Sequence, residues 1–383
     1  MVQMGGAGGG AGGGAGGGAG GGAGGGAGGT GADVGLYGAE SFLKRHAGSA
    51  PSPLLSNALI MSHDAIVSYW DGVPSQAPGE HDPHLTGYLD EVRLPTQALI
   101  LDCRLRSLVN VAWTLKGDDV EDVIELTVQG ERDHKGSAEI LTVAKARKPD
   151  PEYFEKDLRW VRNYSDLRVD RLAEIYHQTG DILSFFGSLG HLDNGRRKYT
   201  LLLLEAVRSV AVHVETLAKF VGRQKRPIDY AMEVQPMIQT PDHSSFPSGH
   251  ALEAFAIATV LHRLASGGHV DSVKGLREFA FPFLLAHRIS TNRTAAGVHF
   301  PVDSIAGAFL GLQLGELVCA MASGKAVKRR DLAFDLPPEG GCTHDFLLDV
   351  FHDTYLPEDG TTEVGKRYDA IVAHFWEMAK CEW

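Results

Sequence analysis

The sequence lacks three features, and each absence excludes a class of protein. Its four cysteines, Cys103, Cys319, Cys342 and Cys381, form no Cys-x-x-Cys spacing, which argues against a zinc site and gives no disulfide framework. The N-terminus has no basic stretch followed by an apolar run, so no secretory signal peptide is visible. The sequence has fewer basic than acidic residues, because its 36 Lys and Arg and its 48 Asp and Glu give a net charge of −12. Sequence-independent binding to nucleic acid is therefore not expected.

Long uninterrupted apolar runs are also missing. The most apolar segment, SIAGAFLGLQLGELVCAMASG, contains Gln313 and Glu316 and falls short of the ~18 uninterrupted apolar residues of a spanning helix. We therefore expect a buried core helix here, and a soluble protein without a membrane span. The sequence does not specify the compartment.

Residues 1–32 are a Gly/Ala repeat with nothing to bury, which predicts a flexible tail. The following stretch of about 350 residues is long enough for one large domain or for two helical subdomains that share a core. We expect an N-terminal helical half at 33–195 and a C-terminal helical half at 196–383.

Helical periodicity dominates the pattern of apolar residues, and period-two alternation with hairpin turns is nearly absent. The segment VIELTV, beginning at Val123, could form a strand, but the Ala, Glu and Lys residues that follow favour a helix. Further helices are predicted at Pro53–Trp70, Gln97–Leu115, and about 167–189, 196–222, 251–265, 273–290, 302–322, 343–355 and 362–380. The predicted fold class is all-α, with two packed helical bundles.

Three fragments in the second half carry most of the charged and titratable residues of interest. They are KFVGRQKRP with Lys219 and Arg226, PSGH with Ser248, Gly249 and His250, and NRTAAGVHFPVD with Arg293, His299 and Asp303. Each fragment alone has a plain structural interpretation: cations at a helix C-terminus, a helix cap, and a His–Asp hydrogen bond on one helix face.

Together the fragments supply the parts of an oxyanion site. Three side chains carry fixed positive charge, namely Lys219, Arg226 and Arg293. Two groups add neutral donors, namely the Ser248 hydroxyl and the Gly249 N–H. The two imidazoles, His250 and His299, can bind a central atom or move a proton. Asp303, one helical turn after His299, can hold that ring in one tautomer.

The order and spacing resemble the signature of the type 2 phosphatidic acid phosphatase (PAP2) and vanadium haloperoxidase superfamily. That signature is Lys-x6-Arg-Pro, Pro-Ser-Gly-His and Ser-Arg-x5-His-x3-Asp, and it matches from Lys219 to Asp303. The one departure is Asn292, where the family usually has a serine that supports the neighbouring arginine. The resemblance implies a bound oxyanion, either vanadate as a cofactor or phosphate in the same site.

The haloperoxidase reaction is the first that the resemblance implies. His299 would be the metal ligand, coordinating vanadium(V), while the cations, Ser248 and Gly249 balance the charge on its oxygens. His250 would handle protons as peroxide binds. The partners would be hydrogen peroxide, a halide (bromide or iodide rather than chloride) and a small organic substrate. A homo-oligomer is compatible with the sequence but not specified by it.

The phosphatase reaction uses the same residues. His299 would attack phosphorus to give a phosphohistidine, and His250 would protonate the leaving group. A non-catalytic protein that binds phosphate or vanadate is a third interpretation, which loss of either histidine would have favoured; both are present.

Three observations favour the haloperoxidase. No spanning helix is expected, some 180 ordered residues are expected before the first motif, and His243 lies seven residues before His250. At that position algal-type bromoperoxidases carry a histidine, so the resemblance gives His243 a part in halide choice. We therefore expect a vanadium-dependent haloperoxidase, an oxidoreductase closest in layout to soluble bacterial members, with the PAP2-type acid phosphatase as the alternative.

Overall fold

The computed structural model describes residues 53–67, 70–74, 79, 82–117, 119–132, 138–336, 341–357 and 361–383. The predicted Gly/Ala tail at 1–32 lies outside these residues.

The described helices, in chain order, are α1 (Pro53–Val67), α2 (Gly87–Glu91), α3 (Leu94–Leu108), α4 (Pro151–Tyr164), α5 (Arg168–His177), α6 (Leu183–Gly190), α7 (Lys198–Gly222), α8 (Pro227–Tyr230), α9 (Gly249–Ala265), α10 (Ser272–Arg277), α11 (Phe281–Ala295), α12 (Pro301–Ser323), α13 (Leu348–Tyr355) and α14 (Ala370–Lys380). Short 3₁₀ turns lie at Ser165–Leu167 and Met232–Val234. The described strands are β1 (Val109–Ala112), β2 (Leu115–Lys116), β3 (Asp119–Val120), β4 (Val123–Arg132), β5 (Ala138–Arg147), β6 (Ala326–Leu332) and β7 (Thr362–Lys366).

The prediction of an all-α fold with two packed bundles is wrong. Five strands form a mixed sheet in the order β1-β4-β5-β6-β7, and β2 pairs with β3 in a second, two-stranded sheet. Strand β5 pairs antiparallel with β4 and parallel with β6, so the sheet takes strands from both sides of the predicted boundary at residue 195. That boundary remains a prediction.

The segment VIELTV, which could be a helix or a strand by sequence, forms the start of β4. Its apolar residues Ile124, Leu126 and Val128 are all buried, which is the period of two that a strand requires. The Ala, Glu and Lys residues after it, which favour a helix by propensity, lie in β5, where Val123 pairs with Arg147 across the hairpin. Burial against the core therefore overrides local propensity here.

Several predicted helices have different ends. Helix α3 stops at Leu108 and the chain continues as β1, whereas the predicted helix ran to Leu115. The segment predicted as one helix at 362–380 begins as β7, and the helix starts only after Asp369. The Asp369 carboxylate accepts hydrogen bonds from the Ile371 and Val372 N–H groups, which caps α14 and fixes its start.

Helix α12 lies at the centre of the core. Nearly every side chain along it is buried, and the glycine spacing lets α9 approach closely. A Cβ at Gly307 would collide with the Ser248 carbonyl oxygen, and one at Gly311 with the Leu252 carbonyl oxygen. The starts of the two helices are also joined, because the Ser248 N–H donates to the Asp303 carbonyl at 2.9 Å. This close packing places the PSGH segment beside the start of α12.

Within the described residues, α12 is also the one helix long and apolar enough to cross a membrane by length and composition. In the fold, however, 94% of its most apolar window is buried inside the protein. The core position expected for this segment is therefore what the structure has, while solubility remains a prediction.

Candidate active site

Four helix ends meet at the motif residues. Lys219 lies at the end of α7 and Arg293 at the end of α11, while Gly249 begins α9 and Asp303 lies in the first turn of α12. The starts of α9 and α12 bring two positive helix-dipole ends to one place, although at the start of α12 the Val302 N–H already donates to Asp157 Oδ2 at 3.1 Å. Such ends favour an anion, as the motif predicted.

His299 is held at both ring nitrogens, and we call His299, Asp303, Ser245 and Arg226 the nucleophile side. The His299 Nδ1 lies 3.1 Å from Asp303 Oδ2, and its Nε2 lies 3.1 Å from Arg226 Nη1. The same Asp303 oxygen accepts from the Phe300 N–H at 2.9 Å and from the Ser245 hydroxyl. Because Asp303 accepts and Arg226 only donates, Nδ1 carries the proton and the lone pair of Nε2 accepts from the Arg226 guanidinium. Of the two ring nitrogens, Nε2 is therefore the one that can act as a nucleophile.

Burial shifts the pKa values of the nucleophile side toward neutral forms. The pKa of His299 lies well below its ordinary value, first because of burial and then because of Arg226 and Lys219. Burial raises the pKa of Asp303 to about 6, although the hydrogen bonds from Ser245 and Phe300 act in the opposite direction. Above that pH, Asp303 is a carboxylate that can stabilise a positive imidazole.

Arg226 joins His299 to His243. Its Nη2 lies 3.1 Å from His243 Nδ1, and its Nε donates to the His243 carbonyl at 3.1 Å. Lys219 lies beneath this loop and donates to the carbonyls of Ser244 at 3.0 Å and Pro247 at 2.7 Å. His243 is therefore part of the arginine's surroundings, and burial lowers its pKa to about 4.

A second group of motif residues has buried donors without hydrogen-bond partners, and we call Ser248 and Arg293 the anion side. Arg293 is 1% exposed, and its Nη2 donates to the Ile175 carbonyl at 3.0 Å and to Gln178 Oε1 at 3.2 Å. Its Nε and Nη1, and the Ser248 hydroxyl, have no hydrogen-bond partner among the described residues. Burial lowers the pKa of Arg293 to about 10. Unpaired buried donors of this kind are costly, and an oxyanion would satisfy them.

His250 stands beside the anion side. Its Nε2 lies 2.9 Å from the Gln178 carbonyl oxygen, which can only accept, so Nε2 carries a proton and Nδ1 is left for proton transfer. Burial, followed by the charge of Arg293, lowers the pKa of His250 to about 3. A Cβ at the preceding Gly249 would collide with the Glu215 carboxyl group, so this buried side chain would have to move.

Sequence reasoning missed three residues of this site: Glu215, Ser245 and Gln178. Glu215 is 2% exposed, one turn before Lys219, and burial raises its pKa to about 7. Its spacing of four from Lys219 was a readable signal. The other two had none, because Ser245 and Gln178 reach their partners across 58 and 115 residues of sequence.

The donor set fits an oxyanion better than a bare cation. In the described part of the chain, no group of three or more His, Cys, Asp or Glu side chains could hold a metal ion. Vanadate would need only one histidine ligand, so this observation does not bear on it. A cavity of about 370 Å³ lies against Arg226, His243 and Ser244, and its wall also includes Lys225 and Asp229. It gives a polar approach to the nucleophile side.

Comparison with known proteins addresses the choice between the two reactions. Residues 199–325 match the family model of the PAP2 superfamily. The decaprenylphosphoryl-5-phosphoribose phosphatase of Mycobacterium tuberculosis, found in two strains, is 30% identical over 142 residues, which cover 37% of this chain and 72% of the relative. The undecaprenyl-diphosphatase of Sulfolobus acidocaldarius is 29% identical over 120 residues, 31% of this chain and 54% of the relative.

These relatives correct the predicted activity. Both are named as phosphatases, so the prediction of a vanadium-dependent haloperoxidase, an oxidoreductase, is wrong, and the predicted closeness to soluble haloperoxidases is not supported. The motif residues do not distinguish the two reactions, because the same donors bind phosphate and vanadate. The observations that favoured the haloperoxidase concerned chain layout and His243, which do not determine the chemistry at His299.

Proposed function

The chain belongs to the PAP2 superfamily, and from this premise we propose that it is a phosphatase that hydrolyses phosphate esters through a phosphohistidine on His299. The observation that carries the proposal is the contrast within one site between a nucleophilic Nε2 and buried donors that lack an acceptor. An ester phosphate offers those donors their acceptor oxygens and offers Nε2 its phosphorus atom.

The phosphoryl group would bind at the anion side. Its oxygens accept from the Ser248 hydroxyl, from Arg293 Nε and Nη1, and from the first N–H groups of α9. Arg226 is already beside Nε2 and can transfer a hydrogen bond to the phosphoryl group as phosphorus approaches. In phosphoryl transfer, fixed positive groups of this kind lower the barrier by stabilising charge on the equatorial oxygens.

The first chemical step forms the N–P bond and breaks the ester P–O bond. His299 Nε2 supplies the electron pair, and the leaving alkoxide oxygen takes a proton from His250 Nδ1. The positive charge that develops on His299 is stabilised by Asp303, which holds its Nδ1–H. In the second step, His250 accepts a proton from water, the water oxygen bonds to phosphorus, and the N–P bond breaks to release phosphate and restore His299.

His250 must gain a proton before it can give one. In the free protein its pKa is about 3, because burial and Arg293 disfavour the imidazolium. A bound phosphate dianion next to Nδ1 favours the imidazolium, so the pKa rises when substrate binds. Substrate binding therefore favours the protonated form of His250, which acts as the general acid.

The substrate is proposed only to the level of a phosphate ester. The names of the two relatives describe a phosphoribose attached to a decaprenylphosphoryl group and a diphosphate attached to an undecaprenyl group. For this chain we propose recognition of the phosphate group itself. Vanadate would be held by the same donors, and we propose that it binds as a phosphate analogue and inhibits.

The test is hydrolysis of an aryl phosphate by the full chain, with and without orthovanadate. We expect turnover that vanadate inhibits, and loss of turnover by about 10⁴-fold or more in His299→Ala, as for removal of a covalent nucleophile. His269→Ala is the matched control, because His269 is exposed in the loop after α9. Absence of turnover in the wild type, or equal turnover in His299→Ala, would refute the proposal.

A further inference from the structure

We propose that Gln178 is a positioning residue of the anion site, supplied by a part of the chain that precedes the family segment. Gln178 follows α5 directly, 21 residues before the matched segment begins at residue 199. It holds Arg293 through its side chain and His250 through its main chain. This inference rests on the proposed function only in taking phosphate as the bound anion.

The side-chain amide of Gln178 is the junction of the contacts. Gln178 is 1% exposed, and its Oε1 accepts from Arg293 Nη2 at 3.2 Å and from Asn292 Nδ2 at 3.0 Å. Arg293 Nη2 is thereby fixed between this oxygen and the Ile175 carbonyl. Because the guanidinium is planar, holding one nitrogen by two acceptors fixes the direction in which Nε and Nη1 donate.

This arrangement gives a role to the one departure from the family signature. The family's serine supports its neighbouring arginine, and here Asn292 contacts the same Gln178 oxygen as Arg293. Asn292 also donates to Glu174 Oε2 at 3.1 Å, and its own oxygen accepts from Arg171 at 3.1 Å. Asn292 therefore supports Arg293 indirectly, by fixing the amide that holds it.

Replacing a glutamine that has only a structural role should affect stability but not anion affinity. Gln97 provides the comparison, because it is also buried, and its amide donates to the Leu89 carbonyl at 2.8 Å and the Val92 carbonyl at 2.9 Å. Those contacts join α2 to α3 and include no motif residue. Replacing either glutamine should affect stability, whereas only Gln178 should affect anion affinity, and only while Arg293 is present.

The experiment is a double-mutant cycle on the affinity for inorganic phosphate, measured by titration calorimetry without turnover. Gln178→Met keeps the length of the side chain and removes the acceptor. We expect it to weaken phosphate binding about tenfold, the cost of losing a hydrogen bond to a charged group. In an Arg293→Met background the same change should weaken binding less than about twofold, because its target is already absent. Gln97→Met should leave phosphate affinity unchanged.

An equal loss of affinity in both backgrounds, or no loss in either, would overturn the inference. Should Gln178→Met fail to fold, Gln178→Leu serves in the same cycle, with the melting temperature as a check on each variant. The two proposals fail separately. Phosphate binding that follows the cycle without ester hydrolysis refutes only the proposed function, whereas hydrolysis with an additive cycle refutes only the role of Gln178. A wild type that binds no phosphate refutes both.

Discussion

On the nucleophile side, each ring nitrogen of His299 already has its partner, while on the anion side Arg293 keeps two nitrogens without one among the described residues. The residues of both sides are buried. The ring of His299 has its partners within the chain, although Asp303 Oδ1 has none among the described residues, whereas the anion side would gain its partners from the proposed phosphate. Contacts within the chain therefore orient His299 Nε2. The unpaired donors of Ser248 and Arg293 are left for the proposed phosphoryl group.

This difference has an energetic meaning. An arginine that burial makes less basic costs folding free energy, since the charged form is the one that burial disfavours. Under the proposed function, a bound anion offsets that cost in the complex. The anion side should therefore trade stability for function, whereas replacements on the nucleophile side should act through the orientation of the ring.

Replacing Asp303 should have the largest effect on turnover. In Asp303→Asn the new side chain no longer offers a carboxylate to His299 Nδ1, so the ring can protonate at Nε2 and lose its lone pair there. We expect the kcat for an aryl phosphate to fall about 10³- to 10⁴-fold, as when a buried aspartate orienting a catalytic histidine is neutralised. Asp170→Asn, at an exposed position of α5, is the control.

The wild type should also lose activity as the pH falls through about 6, the raised pKa of Asp303. Protonation there removes the same carboxylate, so the loss appears on the acid side. Near-normal kcat in Asp303→Asn would show that the ring is oriented by other contacts.

Replacing Arg293 should show how the anion side differs from the nucleophile side. Arg293→Met removes the charge but keeps most of the side-chain volume. We expect kcat/KM to fall about 10²- to 10³-fold, a usual effect of removing a donor to transition-state charge. The melting temperature in the absence of anion should stay the same or rise, because a buried charge with unpaired donors is gone. A clear fall in melting temperature would mean that Arg293 contributes to folding as well as to binding.

Replacing Ser248 should have a smaller effect of the same kind. Its hydroxyl lacks a partner in the described structure, so Ser248→Ala should leave the melting temperature unchanged. Loss of one neutral donor should lower kcat/KM about tenfold. Ser188→Ala, at an exposed position of α6, checks the substitution itself. Activity equal to that of the wild type would exclude the hydroxyl from the anion side.

Phosphate binding should take up protons at pH 7. The pKa of His250 is about 3 in the free protein and rises when a dianion binds beside it, so His250 changes from neutral to protonated in the complex. Calorimetry in buffers of different ionisation enthalpy measures the uptake. In His250→Gln we expect it to fall by up to about one proton, the share of a single imidazole. Equal uptake in both proteins would assign the protons elsewhere.

Local patterns made much of the site predictable. Lys219 and Arg226, or His299 and Asp303, lie within one fragment, and their spacing alone suggests shared chemistry. Gln178 could not be found in this way, because its partners lie 72 to 115 residues further along the chain and only the fold brings them together.

The fold shows the same limit. The core helices could be predicted, α7 from its apolar periodicity and α9 and α12 from their nearly continuous apolar residues. Strand β6 has no such signal, since it is stabilised by parallel pairing with β5, where Ala144 meets Arg330. Pairing across such a distance in sequence is not encoded in either segment alone.

The most direct test of the central claim is to look for phosphate on His299. His250→Gln should form the phosphohistidine from an aryl phosphate, whose leaving group needs little help from an acid, and should hydrolyse it slowly. After an alkaline quench, mass spectrometry of the peptide that contains His299 should show one phosphoryl group, absent from the His299→Ala protein. Turnover of the ester with no phosphoryl group on His299 would contradict the account.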